Sequence, residues 1–374
     1  MSQRVEALDS VRGLAALVVV LGHLLYVSDR FNPVRALVFR GHASVILFFI
    51  LSGFVLSLPY LNGRAKPYSE FVVRRICRIY LPYLCAIVLA LGCYRAFARS
   101  SVPGLSNWFA AVWSTPPTPD LVWAHLSFLG SYPHDAFNPV IWSLIHELRL
   151  SLVFPLLVTW VLKRDWKVAF GIALGVSGLS LLLPSVLNGP WSGNDFWDSL
   201  HYGLMFVIGI LLARHRLELV GMFQRLGKAR AWGVVGLGLL LYQYSDLLCK
   251  LTDTKLRMLS DWPVALGASI LLIWTLASPG LQGLLMRAPL QYLGRISYSL
   301  YLLHAVVLFS LVHALYQGQH LPAILLASLV LSFGVATLSY HLVEKPSIRL
   351  GGYLAGQFRK LRLSLSAPAL GEGS

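Results

Sequence analysis

An arginine and a histidine share one face of the first apolar segment of this chain. Arg12 and His23 lie eleven residues apart in LDSVRGLAALVVVLGHLLYV. Eleven residues are close to three helical turns, so both side chains point to one side of a helix, about 16 Å apart along its axis. Ionisable groups inside an apolar helix are costly and usually face a protein interior or a wet cavity where they act. The pair is therefore either a proton-transfer site or a surface anchor above a satisfied core histidine.

Two later apolar segments carry ionisable groups to a similar depth. Glu147 lies in FNPVIWSLIHELRLSLVFPLL, and LGRISYSLYLLH spaces Tyr298, Tyr301 and His304 at intervals of three. Helical rise puts Glu147 roughly 9 Å below one membrane boundary and His304 roughly 13 Å above the other. We expect His23, Glu147 and His304 to meet near mid-membrane, where a buried Glu would hold the tautomer of His23 and stabilise its imidazolium. A hydrogen-bonded core histidine is the alternative for His304.

A cluster of arginines marks the start of the third apolar segment. Arg74, Arg75 and Arg78 occur in FVVRRICRIYLPY, just before Pro82. Guanidinium groups at that density offer paired donors that suit phosphate oxygens. The cluster predicts a phosphate-binding site, and an ordinary basic membrane anchor is the alternative.

The composition indicates an integral membrane protein that is all-α, a polytopic helix bundle. The chain has 374 residues, of which 56% are hydrophobic and 13% charged, with a mean hydropathy of +0.66. These values are too apolar for a soluble fold of this length. About ten transmembrane helices are predicted from segments that could each cross roughly 30 Å of hydrocarbon. They cover 10–27, 43–61, 79–97, 141–162, 168–184, 199–213, 231–248, 262–277, 296–316 and 322–342.

The distribution of positive charge predicts the orientation. With ten spans and the N-terminus inside, most of the 31 Lys and Arg residues fall on the inner side. The positive-inside rule then makes both termini cytoplasmic. The net charge of +15 is interpreted as this topology signal and not as nucleic-acid binding. We expect a membrane domain over 1–350 and a cytoplasmic, disordered tail over 351–374.

Neither metal ligands nor paired cysteines form a recognisable pattern. The four cysteines have no CxxC spacing, and the eleven histidines include no HExxH motif. We therefore expect no disulfide and no metal site.

A long segment on the predicted outer side, 100–140, is rich in Pro, Ser and Trp. Loops of that length are more often functional or disordered than mere connections. Its tryptophans, Trp108, Trp113 and Trp123, either stack on sugar rings or sit at the membrane interface.

Six motifs carry a family resemblance that runs in order from about residue 8 to 346. They are LDSVRGLAALVVVLGH with its Arg-x10-His spacing, FFILSGFVLS, RRICRIYLP, WSLIHE, GRISYSLYLLH and HLVEKP. Together they resemble the acyltransferase 3 family of integral membrane O-acyltransferases. By position, His23 matches the essential histidine of that family, Arg12 its partner arginine, Glu147 its acidic residue, and the arginine cluster its basic motif.

The resemblance implies an enzyme of the bacterial inner (cytoplasmic) membrane. Such an enzyme takes an acyl group, usually acetyl from acetyl-CoA at the cytoplasmic side, and esterifies a hydroxyl of a glycan or glycolipid such as exopolysaccharide or lipopolysaccharide. The implied partners are acyl-CoA, a glycan or lipid-linked sugar, and membrane lipid. Acetyl-CoA is then a substrate, with no permanently bound cofactor, no metal and no nucleic acid.

Two features depart from the family pattern. Leu148 stands where many members have a second acidic residue, which argues against a mechanism that needs two adjacent carboxylates. Many members also carry a fused SGNH hydrolase-like domain, and we expect this chain to be a stand-alone form without one.

Ester formation from a thioester needs a base, charge stabilisation and positioning. We expect His23 to act as general base, Glu147 to orient it, and Arg12 to lie near the thioester. Acyl transfer through His23 itself is the alternative route. We expect the arginine cluster to bind CoA phosphates, and Tyr298, Tyr301 and His304 to support the site.

Small residues in the second segment predict a special backbone position. Ser52 and Gly53 in SGF would permit either a close helix approach or a helix break beside the site.

The competing functional class is a proton-coupled transporter, which also combines about ten spans with intramembrane His and Glu. Inverted halves are not evident in the sequence, and the arginine cluster has no role in carrying a neutral solute. A structural scaffold would leave the mid-membrane His and Glu unexplained. The sequence and the resemblance together favour the O-acyltransferase.

Overall fold

Helices make up nearly all of the described chain. The computed structural model describes residues 2–31, 41–99, 102–127, 136–187, 195–251 and 257–366, and these residues contain no strand. The predicted all-α class is confirmed. The described residues likewise show no SGNH hydrolase-like domain.

Ten long helices coincide with the ten predicted spans. They are α1 (Ser2–Tyr26), α2 (Gly41–Leu61), α3 (Tyr68–Phe97), α6 (Ile141–Leu162), α7 (Trp166–Leu187), α8 (Asp195–Arg214), α10 (Lys228–Leu251), α11 (Asp261–Ala277), α13 (Ala288–Leu315) and α14 (Leu321–Ser339). Shorter helices are α4 (Asn107–Ala111), α5 (Pro119–Ser127), α9 (Arg216–Gln224) and α12 (Pro279–Leu285). A π turn, Tyr340–Glu344, joins α14 to a last helix, α15 (Lys345–Ser366).

Most of these helices are long and apolar enough to cross a membrane. Eight qualify by length and composition among the described residues. A ninth results if α11 and α12, which meet at an angle of 93°, are taken as one broken span. The predicted seventh span, 231–248, lies within α10, which is not among the eight. The cytoplasmic position of the termini stays a prediction.

Glycines allow the central helices to approach at backbone distance. A Cβ atom on Gly13 of α1 would lie 2.6 Å from the backbone nitrogen of Gly294 in α13. Gly53 of α2 is pressed in the same way against the backbone of Phe206 in α8, and α2 continues unbroken past it. Small residues at such crossings are the usual means of tight packing between membrane helices. Of the two possibilities predicted for Gly53, the close approach is the one found.

The C-terminal segment differs from the expected disordered tail. Residues 351–366 belong to α15, which packs along α3, and 367–374 lie outside the described residues. A Cβ atom on Gly351 would lie 2.9 Å from the Cβ of Cys77, so glycine again permits the contact. The polar composition predicted disorder. A helix face that includes Gly351 is nevertheless enough to pack this helix against α3.

The crossing of α1 and α13 leads to a stability prediction. Gly13→Ala should lower the free energy of unfolding by about 1–3 kcal/mol, because the new methyl group must push two backbones apart. Thermal unfolding in detergent measures the effect. Gly171→Ala is the matched control, since nothing lies within 4 Å of a Cβ at this helical position. Equal unfolding temperatures for the two variants would contradict the close approach.

Candidate active site

Two histidines from parallel helices form the centre of the candidate site. His23 Nδ1 in α1 lies 2.8 Å from His304 Nε2 in α13, and the two rings are tilted by only 13°. His304 is buried, whereas His23 keeps partial exposure. The predicted meeting of these two residues therefore takes place.

The hydrogen bonds around His304 fix the tautomers of both rings. His304 Nδ1 lies 3.0 Å from the carbonyl oxygen of Leu300, which can only accept, so Nδ1 carries the proton. A neutral imidazole has one N–H, so His304 Nε2 accepts and His23 Nδ1 donates to it. With both rings neutral, His23 Nε2 is left with a lone pair. This arrangement makes Nε2 of His23 a base.

Trp108 covers the ring of His23. The indole and imidazole planes differ by 5°, with centroids 5.3 Å apart. Ser106 ties this segment to the end of α1, because its backbone N–H donates to Val27 and its hydroxyl donates to the carbonyl of Tyr26. Of the other two tryptophans that were singled out in segment 100–140, Trp113 is buried and Trp123 is 70% exposed. The sequence suggested sugar stacking or interfacial anchoring for these residues, and it missed a Trp that packs on the histidine.

A cavity of about 360 Å³ lies among α1, α2, α3, α6 and α13. This volume falls within the range of about 300–1,000 Å³ that is usual for small-molecule sites. Predicted residues that line it are Arg12, Ser52, Arg75, Arg78, Glu147, Tyr298 and Tyr301. The histidine pair lies beyond this lining, next to Tyr301, whose ring centroid is 6.2 Å from that of His304.

Glu147 pairs with an arginine instead of His23. Its Oε1 accepts from Arg75 Nη2 at 3.1 Å and from the Ser52 hydroxyl at 3.3 Å. Arg75 also donates to Ser151, one turn further along α6. The direct contact expected between Glu147 and His23 is therefore wrong for these described residues: Glu147 faces α3 across the cavity, and His304 orients His23.

The other arginines differ in how their charge is offset. Arg12 Nη1 lies 2.7 Å from Asp9 Oδ1, an ion pair within one turn of α1. Arg78 is exposed to the cavity, and its guanidinium forms neither an ion pair nor a hydrogen bond with any described residue. Arg74 does not line the cavity; its guanidinium lies beside Gly352 of α15. Two of the three clustered arginines therefore face the cavity.

The tyrosines of α13 connect it to neighbouring helices. Tyr298 donates to the carbonyl of Ile79 in α3 at 2.8 Å. The hydroxyl of Tyr301 lies 2.7 Å from that of Ser143 in α6. Both tyrosines thereby hold the cavity walls together.

Sequence reasoning gave no role to Glu344, although it lies in the HLVEKP motif. Glu344 lines the cavity from the π turn after α14, is 3% exposed, and accepts from Ser299 at 2.7 Å. Single π turns often mark functional sites. Its position inside a motif at the end of the last span was the signal that could have found it.

Comparison with known proteins decides the family. A profile described as an acyltransferase domain, Acyl_transf_3, matches residues 5–341. The chain belongs to the acyltransferase 3 family. No solved structure matches the chain. The match covers nearly the whole described bundle, including both histidines and the arginines that line the cavity, and it gives no support to a transporter.

Relatives in the acyltransferase 3 family fall into two groups by length. Acyltransferase MdmB of Streptomyces mycarofaciens is 28% identical over 93% of both chains. O-acetyltransferase PaAT-1 of Phomopsis amygdali is 25% identical over 92% of this chain and 83% of its own. Peptidoglycan O-acetyltransferase OatA of Listeria monocytogenes is 24% identical, and the match covers 94% of this chain but only 56% of OatA. The chain therefore spans about half the length of that peptidoglycan enzyme.

The tautomer assignment predicts a difference between two His304 variants. His304→Leu should lower acyl transfer about 10–100-fold, because His23 loses the acceptor that orients it. In His304→Gln an amide oxygen can accept in place of Nε2, so transfer should stay within severalfold of wild type. The rate of acyl transfer from the donor at equal protein level measures this. Equal losses in both variants would show that His304 does not act through this hydrogen bond.

The two cavity arginines should differ in what their removal does. Arg78→Ala should raise the apparent KM for the acyl donor about tenfold or more with little change in stability, because Arg78 makes no hydrogen bond or ion pair with the described residues. Arg75→Ala should cost about 3 kcal/mol of stability, since it removes the ion-pair partner of Glu147. Arg78→Lys should restore the KM only in part. Steady-state kinetics and thermal unfolding test both statements; an unchanged KM in Arg78→Ala would make Arg78 a membrane anchor.

Proposed function

We propose that this acyltransferase moves an acetyl group from acetyl-CoA to a hydroxyl of a glycan or glycolipid. The observation that carries the proposal is the pair of His23 and His304 next to an arginine-lined cavity. A thioester is already activated, so its transfer needs a base and positioned charges more than it needs a cofactor. The hydrogen-bonded pair offers the base, and the cavity offers the charges.

The donor side of the proposal rests on the cavity. CoA carries several phosphates, and arginine forks bind phosphate oxygens better than ammonium groups do. Arg78 offers a guanidinium that makes no hydrogen bond with the described residues, and Arg12 and Arg75 line the same space. We expect the acyl-CoA to enter from this end, which the topology prediction makes cytoplasmic.

The chemical step rests on the free lone pair of His23. Nε2 would take the proton from the attacking hydroxyl while the hydroxyl oxygen bonds to the carbonyl carbon of the thioester. The tetrahedral oxyanion then collapses, the thiolate leaves, and the proton passes to the sulfur. His304 would hold the ring and share the positive charge that forms on it through their hydrogen bond. Attack by His23 itself, to give an acyl-histidine, is the alternative route.

The acceptor is proposed by analogy with the names of relatives. The names of OatA and of the putative Bacillus subtilis enzyme YrhL specify peptidoglycan, and both are about twice as long as the matched region. MdmB and PaAT-1, which the chain covers more fully, have names that give no acceptor. A surface glycan is therefore the acceptor class to test first. The proposed location of the enzyme itself is the inner membrane of a bacterium.

Removal of His23 tests the proposal directly. His23→Ala and His23→Gln should insert normally and lose about 10²–10⁴-fold of transfer, the usual contribution of a general base. Ester-linked acetate on surface glycans, measured by mass spectrometry in strains with wild type, variant or no protein, is the readout. The exposed His320→Gln is the matched control. Near-normal acetylation with His23→Ala would remove His23 from the chemistry, and no acetate difference between wild type and the empty strain would refute the glycan acceptor.

A further inference from the structure

The short helix α4 carries Trp108 onto the ring of His23 and is held at both of its sides. Ser106 donates to two carbonyls at the end of α1, and its hydroxyl accepts from the backbone N–H of Phe109. The ring of Phe109 stacks on Phe309 of α13, with centroids 4.6 Å apart and planes within 9°. α4 is therefore fastened to both helices that carry the histidine pair, and these contacts set the position of Trp108.

Two indole N–H groups in this segment differ in their hydrogen bonding. Trp113 is buried, and its Nε1 donates to the carbonyl oxygen of Phe137 at 3.0 Å. Trp108 is half-buried, and its Nε1 donates to none of the described residues. An indole N–H inside a protein usually finds an acceptor. The N–H of Trp108 is therefore available to a ligand.

The proposed base also has one nitrogen available. His23 Nδ1 is bonded to His304, but Nε2 bonds to no residue in the part of the chain that the structure describes. The His23 ring keeps partial exposure, although neither His23 nor Trp108 belongs to the cavity lining. The two rings lie face to face, with planes within 5°. A proton acceptor and a hydrogen-bond donor thus lie side by side outside the cavity.

Trp108 lies toward the opposite end of α1 from the cavity arginine of that helix. Arg12 precedes His23 by eleven residues, or about 16 Å along the helix axis. Trp108 instead contacts Tyr26, one turn beyond His23, with ring centroids 5.4 Å apart. The described rings that contact Trp108 carry neither a carboxylate nor a guanidinium; they belong to His23, Tyr26 and Phe309. These surroundings do not suit the phosphates of CoA.

Resting on the proposed function, we propose that Trp108 binds the acceptor at the His23 base by donating its indole N–H to an oxygen of that molecule. The chemistry favours a neutral polyol such as a sugar, because hydroxyls on neighbouring carbons can occupy both groups at once. One hydroxyl gives its proton to Nε2 of His23, and the next accepts the indole N–H. The acceptor therefore binds at the α4 end of the histidine pair, and the donor binds in the cavity.

The stacked indole has a second consequence for the reaction. Water that reaches His23 in place of the acceptor attacks the thioester and gives free acetate and the CoA thiol. Exclusion of water is one way in which active sites suppress such side reactions. Because the indole covers one face of the imidazole, it limits this hydrolysis.

Initial rates of acetyl transfer, measured at varied glycan and varied acetyl-CoA, separate the two binding sites. The probe is de-acetylated surface glycan from a strain that lacks the protein, and the full-length protein is held in nanodiscs that leave both faces accessible. Trp108→Phe keeps an aromatic ring but loses the N–H. It should raise the KM for glycan about three- to tenfold and leave the KM for acetyl-CoA within twofold of wild type. Trp166→Phe is the matched control: Trp166 is 46% exposed at the start of α7, and both values should stay unchanged.

Two further variants cover a failure of Trp108→Phe to fold. At position 108, 3-benzothienylalanine replaces only the N–H by sulfur, so the shape and the stacking stay the same. This variant should raise the KM for glycan as Trp108→Phe does. Trp108→Ala removes the cover from His23 and should raise the ratio of free acetate to glycan ester severalfold.

The outcomes distinguish this inference from the proposed function. An unchanged KM for glycan in the benzothienyl variant, or an equal rise of both KM values, would overturn the acceptor site and make Trp108 a packing residue. An unchanged ratio of free acetate to ester in Trp108→Ala would overturn the exclusion of water. The absence of glycan ester with the wild-type protein would instead refute the proposed function itself.

Discussion

The matched register of α1 and α13 is the constraint on which the site depends. Gly13 meets Gly294, and ten residues later in each helix His23 meets His304. Equal spacing requires the two helices to run parallel and to stay in contact over about 15 Å. A side chain at either glycine would separate the axes where they are closest. The hydrogen bond that leaves His23 Nε2 as a base therefore depends on the absence of two Cβ atoms three turns away.

Sequence periodicity predicted how deep a side chain lies in the bundle better than which neighbouring helix it faces. Tyr298, Tyr301 and His304 were correctly placed on one helix, and His304 does reach His23. Each step of three residues also turns the direction by about 60°, so these side chains contact α3, α6 and α1 in turn. Glu147 shows what was missing. Its depth was estimated from helical rise, but its partner depends on the rotation of α6 against α3, which a single sequence does not reveal.

Contacts made by loops and helix ends could not be predicted from the sequence, for a different reason. Trp108 lies in a segment without periodicity, so nothing in its neighbours indicates that it covers His23. His42 and Asp261 begin their helices, where polar residues are common in any membrane protein. Their pairing joins positions 219 residues apart. The motifs shared with the acyltransferase 3 family predicted the fold class because they record the packed helices, while these contacts lie outside them.

The burial of the two histidines also bears on why the proposed base is paired with a second histidine. Both rings lie inside an apolar bundle, where a charged imidazole is costly, and a charge on one ring disfavours a charge on the other. Four arginines and three carboxylates line the neighbouring cavity, with Asp9 beside Arg12 and Glu147 beside Arg75. A polyanionic donor would add negative charge beside the histidine pair and lower the cost of the imidazolium that forms when His23 accepts a proton. A carboxylate in the place of His304 would instead stabilise that cation before any donor had bound. His23 would then already be protonated and could not accept the proton of the hydroxyl.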